Sequence, residues 1–167
     1  CSILLSLYKN MKIELYWGKL TWGLFHTIAE KINDENELMN IKNLIVSVCS
    51  NLPCPYCRDH AKTYLSKKPI NKLVRTKDEL KKYLFDFHNV VNLRTKKPIY
   101  SVKILEQYAS VNFNSLLNNW MKFFKIFRIT PYDLREHSDR EKTKQQVYNY
   151  LVSIKHKFKD VEEPRFS

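Results

Sequence analysis

Two glycines in 167 residues leave little room for a strand-and-turn architecture. Hairpins and tight turns draw on glycine for backbone angles that other residues avoid. Here Gly18 and Gly23 both fall inside one stretch of helical periodicity. The expected fold class is all-α. No run of about 18 apolar residues occurs, so no membrane span is expected. The net charge is +12, and nine Lys/Arg against three Asp/Glu between Arg58 and Lys82 supply half of it. Such a surface suits an acidic protein partner, the phosphates of a cofactor, or plain solvation of a helix face. There is no zinc-finger pair, helix-turn-helix glycine or RNP-type motif, so no nucleic-acid partner is expected.

The periodicity predicts a first helix over residues 14–32, with Trp17, Leu20, Leu24, Ile28 and Ile32 on one stripe and Trp22, His26 and Ala29 on a second. A helix apolar on two faces belongs in the interior. His26 is then either a satisfied core histidine or, flanked by tryptophans, part of a slot for a flat aromatic ligand. A second helix is expected over 37–50, and a third follows Pro53 and runs to about Ser66. A basic linker over 67–75 and a capped helix over 77–95, opened by Thr76 and Glu79, follow. His88 and Asn92 lie four apart and so share a side of that helix. Beyond Pro98, a helix over 101–127 with a weak middle at 110–115 precedes a last helix that starts near Thr130-Pro131 and ends near Phe158. The polar run 136–146 is expected to face solvent.

The run Leu52-Pro53-Cys54-Pro55-Tyr56-Cys57-Arg58-Asp59-His60 places two thiols at the opening of a helix. Sulfurs at that spacing can close a small disulfide, and Pro55 is tolerated in a first turn. The free N–H groups of that turn favour an anionic sulfur, which is the chemistry of a redox-active dithiol. Cys49, Cys54, Cys57 and His60 also make four potential zinc ligands, and a zinc-stapled helical binding module without catalysis is the competing reading. Cys49, alone on an apolar helix, is expected in the core.

Taken in order, Trp17-Gly18-x3-Trp22-x3-His26, then Cys54-Pro55-Tyr56-Cys57, then His88-Asn89-x-Val91-Asn92 with Lys97-Pro98, resembles the Erv/ALR family of FAD-linked sulfhydryl oxidases. The likeness covers residues 16–108, and the Leu-Pro-Cys-Pro-x-Cys-Arg-x-His run is similar to that of compact members encoded by large DNA viruses. The resemblance implies a four-helix bundle with a short fifth helix and bound FAD, followed here by an extra C-terminal helical region. It implies a redox pair Cys54 and Cys57, with Cys57 against the flavin. It implies cofactor contacts from Gly18, Lys19, Trp22 and His26 on the first helix, and from His88, Asn89, Val91, Asn92 and Lys97 on the fourth. Lys19 stands where the family often has Arg, and Lys31 where many members have Tyr. The family's Trp after the fourth helix is missing, and Tyr108 is the nearest aromatic substitute.

The resemblance further implies oxidation of a thiol-containing protein substrate of thioredoxin-like kind, with O2 reduced to H2O2, by a homodimer. The expected divisions are a leader or disordered stretch over 1–10, the FAD-binding bundle over 11–110 and the additional helical region over 111–167. The viral likeness implies host cytoplasm or virion, with the mitochondrial intermembrane space as the alternative. Trp120, Phe123, Phe124 and Phe127 form an apolar payload that either extends a dimer interface or packs on the bundle.

Overall fold

The computed structural model describes residues 16–125 and 133–159. Helix α1 (Tyr16–Lys31) buries Trp17, Leu20, Leu24, Phe25, Ile28 and Ala29, so both apolar stripes find partners. A single 3-10 turn at Glu35–Glu37, capped by the Asp34 carboxylate on the Asn36 N–H (3.0 Å), leads into α2 (Leu38–Ser50). Helix α3 (Pro55–Lys67) carries Pro55 in its first turn and is capped by Cys54. The expected linker over 67–75 instead contains a one-turn helix, α4 (Ile70–Leu73). Ile70 and Val74 are buried, and Lys42 Nζ donates to the Val74 carbonyl (2.8 Å), which ties the segment down. Helix α5 (Lys77–Arg94) opens on the expected capping box, with both halves made between Thr76 and Glu79.

The expected helix over 101–127 is two elements. A 3-10 helix (Val102–Ser110) ends within the weak stretch, and α6 (Phe113–Phe123) starts afresh with the Asn112 side chain accepting the Ser115 N–H (2.9 Å). Helix α7 (Leu134–Ile154) is followed by a 3-10 turn at Lys155–Lys157. Residues 1–10, Phe127, the Thr130-Pro131 start and the tail from Asp160 lie outside the described residues. Among the described residues the secondary structure is helical apart from an isolated bridge between Ile32 and Phe158.

One continuous core joins α1 through Leu24 and Ile28 to Ile41 and Ile45 of α2 and to Leu80, Leu84 and Phe87 of α5. The same core continues into Trp120, Phe124, Val147 and Leu151. Trp120 and Phe124 are fully buried within their own chain, so they pack on the bundle and are not free for a dimer interface. Phe123 is half-buried, its ring edge-on to Tyr16 at 5.2 Å. The C-terminal end is strapped to the end of α1. The Lys159 N–H donates to the Lys31 carbonyl (2.7 Å), the Asn33 N–H donates to the Lys157 carbonyl (3.0 Å), and Lys157 pairs with Asp34 (2.8 Å).

The run 136–146 departs from expectation, because Arg140, Thr143 and Lys144 are buried. A guanidinium goes inside when backbone carbonyls take its donors. Arg140 finds them on the segment leading to the dithiol.

Candidate active site

Cys54 and Cys57 are disulfide-bonded, with Cα atoms 5.1 Å apart. Cys54 is the N-cap of α3, and its sulfur accepts the Cys57 N–H at 3.1 Å. Local sequence explains this. Leu52 and Pro53 are buried and end α2, and Pro55 has the fixed backbone angle that a first helical turn needs. The same turn that positions the sulfur also offers positive electrostatic potential to it. Cys49 is a free, buried thiol, and burial pushes it up to about 12, so it behaves as a core residue. Among the described residues no group of three or more His, Cys, Asp or Glu side chains is arranged to hold a metal ion.

Helices α1 and α5 supply a set of near-parallel rings. Trp22 stacks on His88 with centroids 4.2 Å apart and planes within 6°. His26 lies 5.9 Å from Trp22 and 4.8 Å from Tyr108, which comes from the 3-10 helix after α5. His26 Nε2 and His88 Nδ1 are 3.0 Å apart, so one donates and the other accepts. Both rings are neutral at neutral pH. Burial, with His88 beside it, holds His26 at about 3; burial, with Lys97 near, holds His88 at about 4.

Asn89 grips the backbone of Tyr100 from both sides. Its amide donates to the Tyr100 carbonyl (3.1 Å) and its oxygen accepts the Tyr100 N–H (2.8 Å). That brace sets the Tyr100 ring edge-on to His88 at 5.3 Å. Tyr100 was missed from sequence, since it lies in coil after Pro98 with no periodicity to mark it. Asn92 is buried, Val91 half-buried, and Lys97 exposed close to His88. Lys19 is exposed, and a Cβ built on Gly18 would meet nothing within 4 Å, so the side of α1 that carries these two residues is open. Lys31 is buried and donates to the Ala109 carbonyl (2.9 Å), anchoring the 3-10 helix that carries Tyr108.

The dithiol and the ring stack meet through α5. The Arg94 guanidinium sits over the Tyr56 ring at 4.6 Å, which brings the residue between the two cysteines against the end of α5. Two turns further into α3, Tyr64 stacks on Phe87 at 4.0 Å, and Phe87 meets the edge of Trp22 at 5.2 Å. His60, near Arg94, is held below its ordinary value by burial first and by that cation second.

A flat cofactor with a polar edge fits this arrangement. His26 Nδ1 and Asn92 Nδ2 are buried with no protein partner, and buried polar atoms rarely stay unpaired without a reason. His26 is itself one of the rings lying in near-parallel planes, the geometry on which another aromatic ring can stack, and Asn92 sits one turn beyond His88 on α5.

The Erv1/Alr family model matches residues 19–114, a span holding the ring stack, the dithiol and the Asn89–Tyr100 brace. The chain belongs to the Erv1/Alr family. A FAD-linked sulfhydryl oxidase of invertebrate iridescent virus 3 is 34% identical over 101 residues, covering 59% of this chain and 68% of the relative. The FAD-linked sulfhydryl oxidase of an African swine fever virus isolate is 32% identical over 107 residues, 62% of this chain and 86% of the relative. A rice FAD-linked sulfhydryl oxidase is 33% identical over 86 residues, half of this chain and 43% of the relative. No solved structure gives a significant match. As an Erv1/Alr member the chain is an FAD-linked sulfhydryl oxidase, with FAD as its cofactor.

Replacing His26 with Ala removes one layer of the stack and the partner of His88. We expect the variant to keep its helical circular dichroism and to release FAD about fivefold more readily, since a stacked aromatic contact is worth about 1 kcal/mol. Flavin absorbance after gel filtration reads it, and full retention would misplace the slot.

Proposed function

We propose that this enzyme introduces disulfides into protein substrates, with Cys54 as the sulfur that meets the substrate and Cys57 as the sulfur that faces the flavin. The observation that carries this reading is the Cys54–Cys57 disulfide capping α3 beside the end of α5, whose residues build the ring slot. A substrate thiolate attacks Cys54 Sγ, the Cys54–Cys57 bond breaks, and Cys57 leaves as a thiolate. A second substrate thiol then attacks the substrate sulfur of the mixed disulfide, and Cys54 leaves. The Cys57 N–H that already points at Cys54 Sγ stabilises that leaving thiolate. The pair now holds two electrons from the substrate, whose own disulfide is complete. FAD, when bound, would supply the two-electron oxidant that restores the Cys54–Cys57 bond, with O2 as the final acceptor and H2O2 as the product.

In this reading Gly18, Lys19, Trp22 and His26 line the cofactor from α1, and His88, Asn89, Val91, Asn92 and Lys97 from α5 and its exit. Tyr108 closes the stack. The neutral histidine pair holds a proton between Nε2 and Nδ1 and leaves His26 Nδ1 free for a cofactor hydrogen bond. Asn89 also braces the backbone of Tyr100.

The substrate we propose is a thioredoxin-like protein bearing a reduced cysteine pair, met by the exposed Tyr56 and the basic surface over 58–82. Host cytoplasm or the virion is the compartment we favour, a reading supported by the viral relatives; the mitochondrial intermembrane space is the alternative. No described helix is long and apolar enough to cross a membrane. Residues 11–110 form the FAD-binding unit and 111–167 an added helical region in this proposal, and the family match ending at 114 supports that division. The test is oxygen uptake by the flavin-loaded protein with a reduced protein dithiol, with H2O2 formed mole for mole with disulfide. Uptake no faster than free FAD supports would end this reading.

We also propose a homodimer. Light scattering of the flavin-loaded chain should then give about twice the 20.1 kDa chain mass. A single-chain mass at micromolar concentration would exclude it.

A further inference from the structure

We propose that α7, which lies outside the family match, is a positioning element for the dithiol, with Arg140 and Glu136 setting how readily the Cys54–Cys57 pair is reduced. Arg140 is fully buried. Its Nε donates to the Asn51 carbonyl (2.8 Å) and its Nη2 to the Leu52 carbonyl (3.4 Å). Arg58, the residue after Cys57, donates from Nη1 to the same Leu52 carbonyl (2.9 Å) and from Nη2 to the Glu136 carboxylate (2.7 Å). Two guanidiniums from two helices thus converge on the two residues that precede Pro53 and Cys54, and a carboxylate from α7 ties to one of them.

Packing alone does not call for this. A buried guanidinium is costly, and well-packed apolar residues commonly do as well for stability. Arg140 Nη1 is buried with no protein partner, so the site tolerates an unsatisfied donor in order to hold those carbonyls. The charge also acts on the sulfurs. Arg58 and Arg140 add positive potential at the N-terminus of α3, where the reduced pair carries thiolate character, and the half-exposed Glu136 offsets part of it. Glu141 and Asp133 oppose the Arg140 charge from its own helix and the residue before it, and His60 and Arg94 lie beside the opening of α3.

The inference rests on the thiol-oxidase reading, and the test separates the two. Flavin-loaded full-length protein is equilibrated with glutathione without oxygen. One oxidised glutathione takes two electrons from the Cys54 and Cys57 thiols, giving their disulfide and two reduced glutathiones. Alkylation followed by peptide mass analysis then counts the reduced fraction. Arg140→Gln should shift this equilibrium about threefold toward the disulfide, or about 14 mV. Glu136→Gln should shift it about twofold the other way, because Arg58 loses its counter-charge. Arg140→Lys should recover part of the shift. Amide exchange over 51–58 should quicken about tenfold in Arg140→Gln, since hydrogen bonds from a charged donor are lost. Glu136→Gln changes a half-exposed side chain, so it keeps the proposal testable should Arg140→Gln misfold. Wild-type equilibria in the variants, shifts of the same sign, or a lower Tm alone would overturn it. Absent oxygen turnover in the wild type would instead overturn the oxidase reading.

Discussion

Replacing either Cys54 or Cys57 by Ser should lower turnover by about a thousandfold or more, and the double variant should be no worse than either single one. Each sulfur has a separate task, so losing one stops the whole exchange. The two variants differ in what they leave behind. Cys54→Ser leaves the inner sulfur, and a thiolate against an oxidised flavin gives a long-wavelength charge-transfer absorbance. Cys57→Ser leaves only the outer sulfur, and that band should be absent. A band in Cys57→Ser alone would exchange the two roles. No band in either variant, with activity surviving in one, would remove the dithiol from the reaction.

The parts of the fold that local sequence dictates were legible from it. Glycine scarcity and 3–4 periodicity point to helices, and Thr76 with Glu79 marks the start of α5 to the residue. Asn112 lies in the weak stretch where the chain does restart a helix, and its own side chain makes the cap. Short elements escape such reasoning. Ile70–Leu73 is one turn, too brief to show a period, and it exists because Ile70 and Val74 have somewhere to be buried.

The site divides in the same way. Trp22 and His26 are four apart on one helix, so their alignment needs only helical geometry. The meeting of His88 with Trp22, and of Tyr108 with His26, depends on how α5 and the 3-10 helix dock on α1, which periodicity alone does not give. Resemblance to a family carried those residues forward, and it could not carry Tyr100, Arg94 or Arg140. Arg140 is the sharpest case. Hydropathy counts apolar surface, so a polar run from 136 to 146 looks solvated, although a guanidinium surrounded by carbonyls is as well placed inside. Its contacts are 89 and 88 residues away in the chain, beyond any local pattern.

Trp120→Ala should destabilise the protein by about 3–5 kcal/mol, a large part of a typical domain's stability. The ring is fully buried in a cluster with Phe124, stacked at 4.5 Å, and Trp17, which meets Phe124 edge-on at 6.2 Å. Its Nε1–H donates to Thr21 Oγ1 (3.1 Å), and Thr21 donates in turn to the Trp17 carbonyl (2.8 Å). Deletion therefore opens a cavity between α6 and α1 and strips one bond from a buried hydroxyl. At about 2–4 °C per kcal/mol for a chain of this size, the melting temperature should drop by roughly 10 °C. Trp120→Phe keeps most of the ring and loses the hydrogen bond, so it should cost only about 1 kcal/mol plus a small packing term. Thr21 is the neighbour of Trp22, so loosening α1 here should also speed release of FAD. A loss below about 1 kcal/mol in Trp120→Ala, with flavin held as before, would mean that α6 contributes little to holding α1 in solution. The region from 111 onward would then be an appendage to the oxidase bundle and not part of its support.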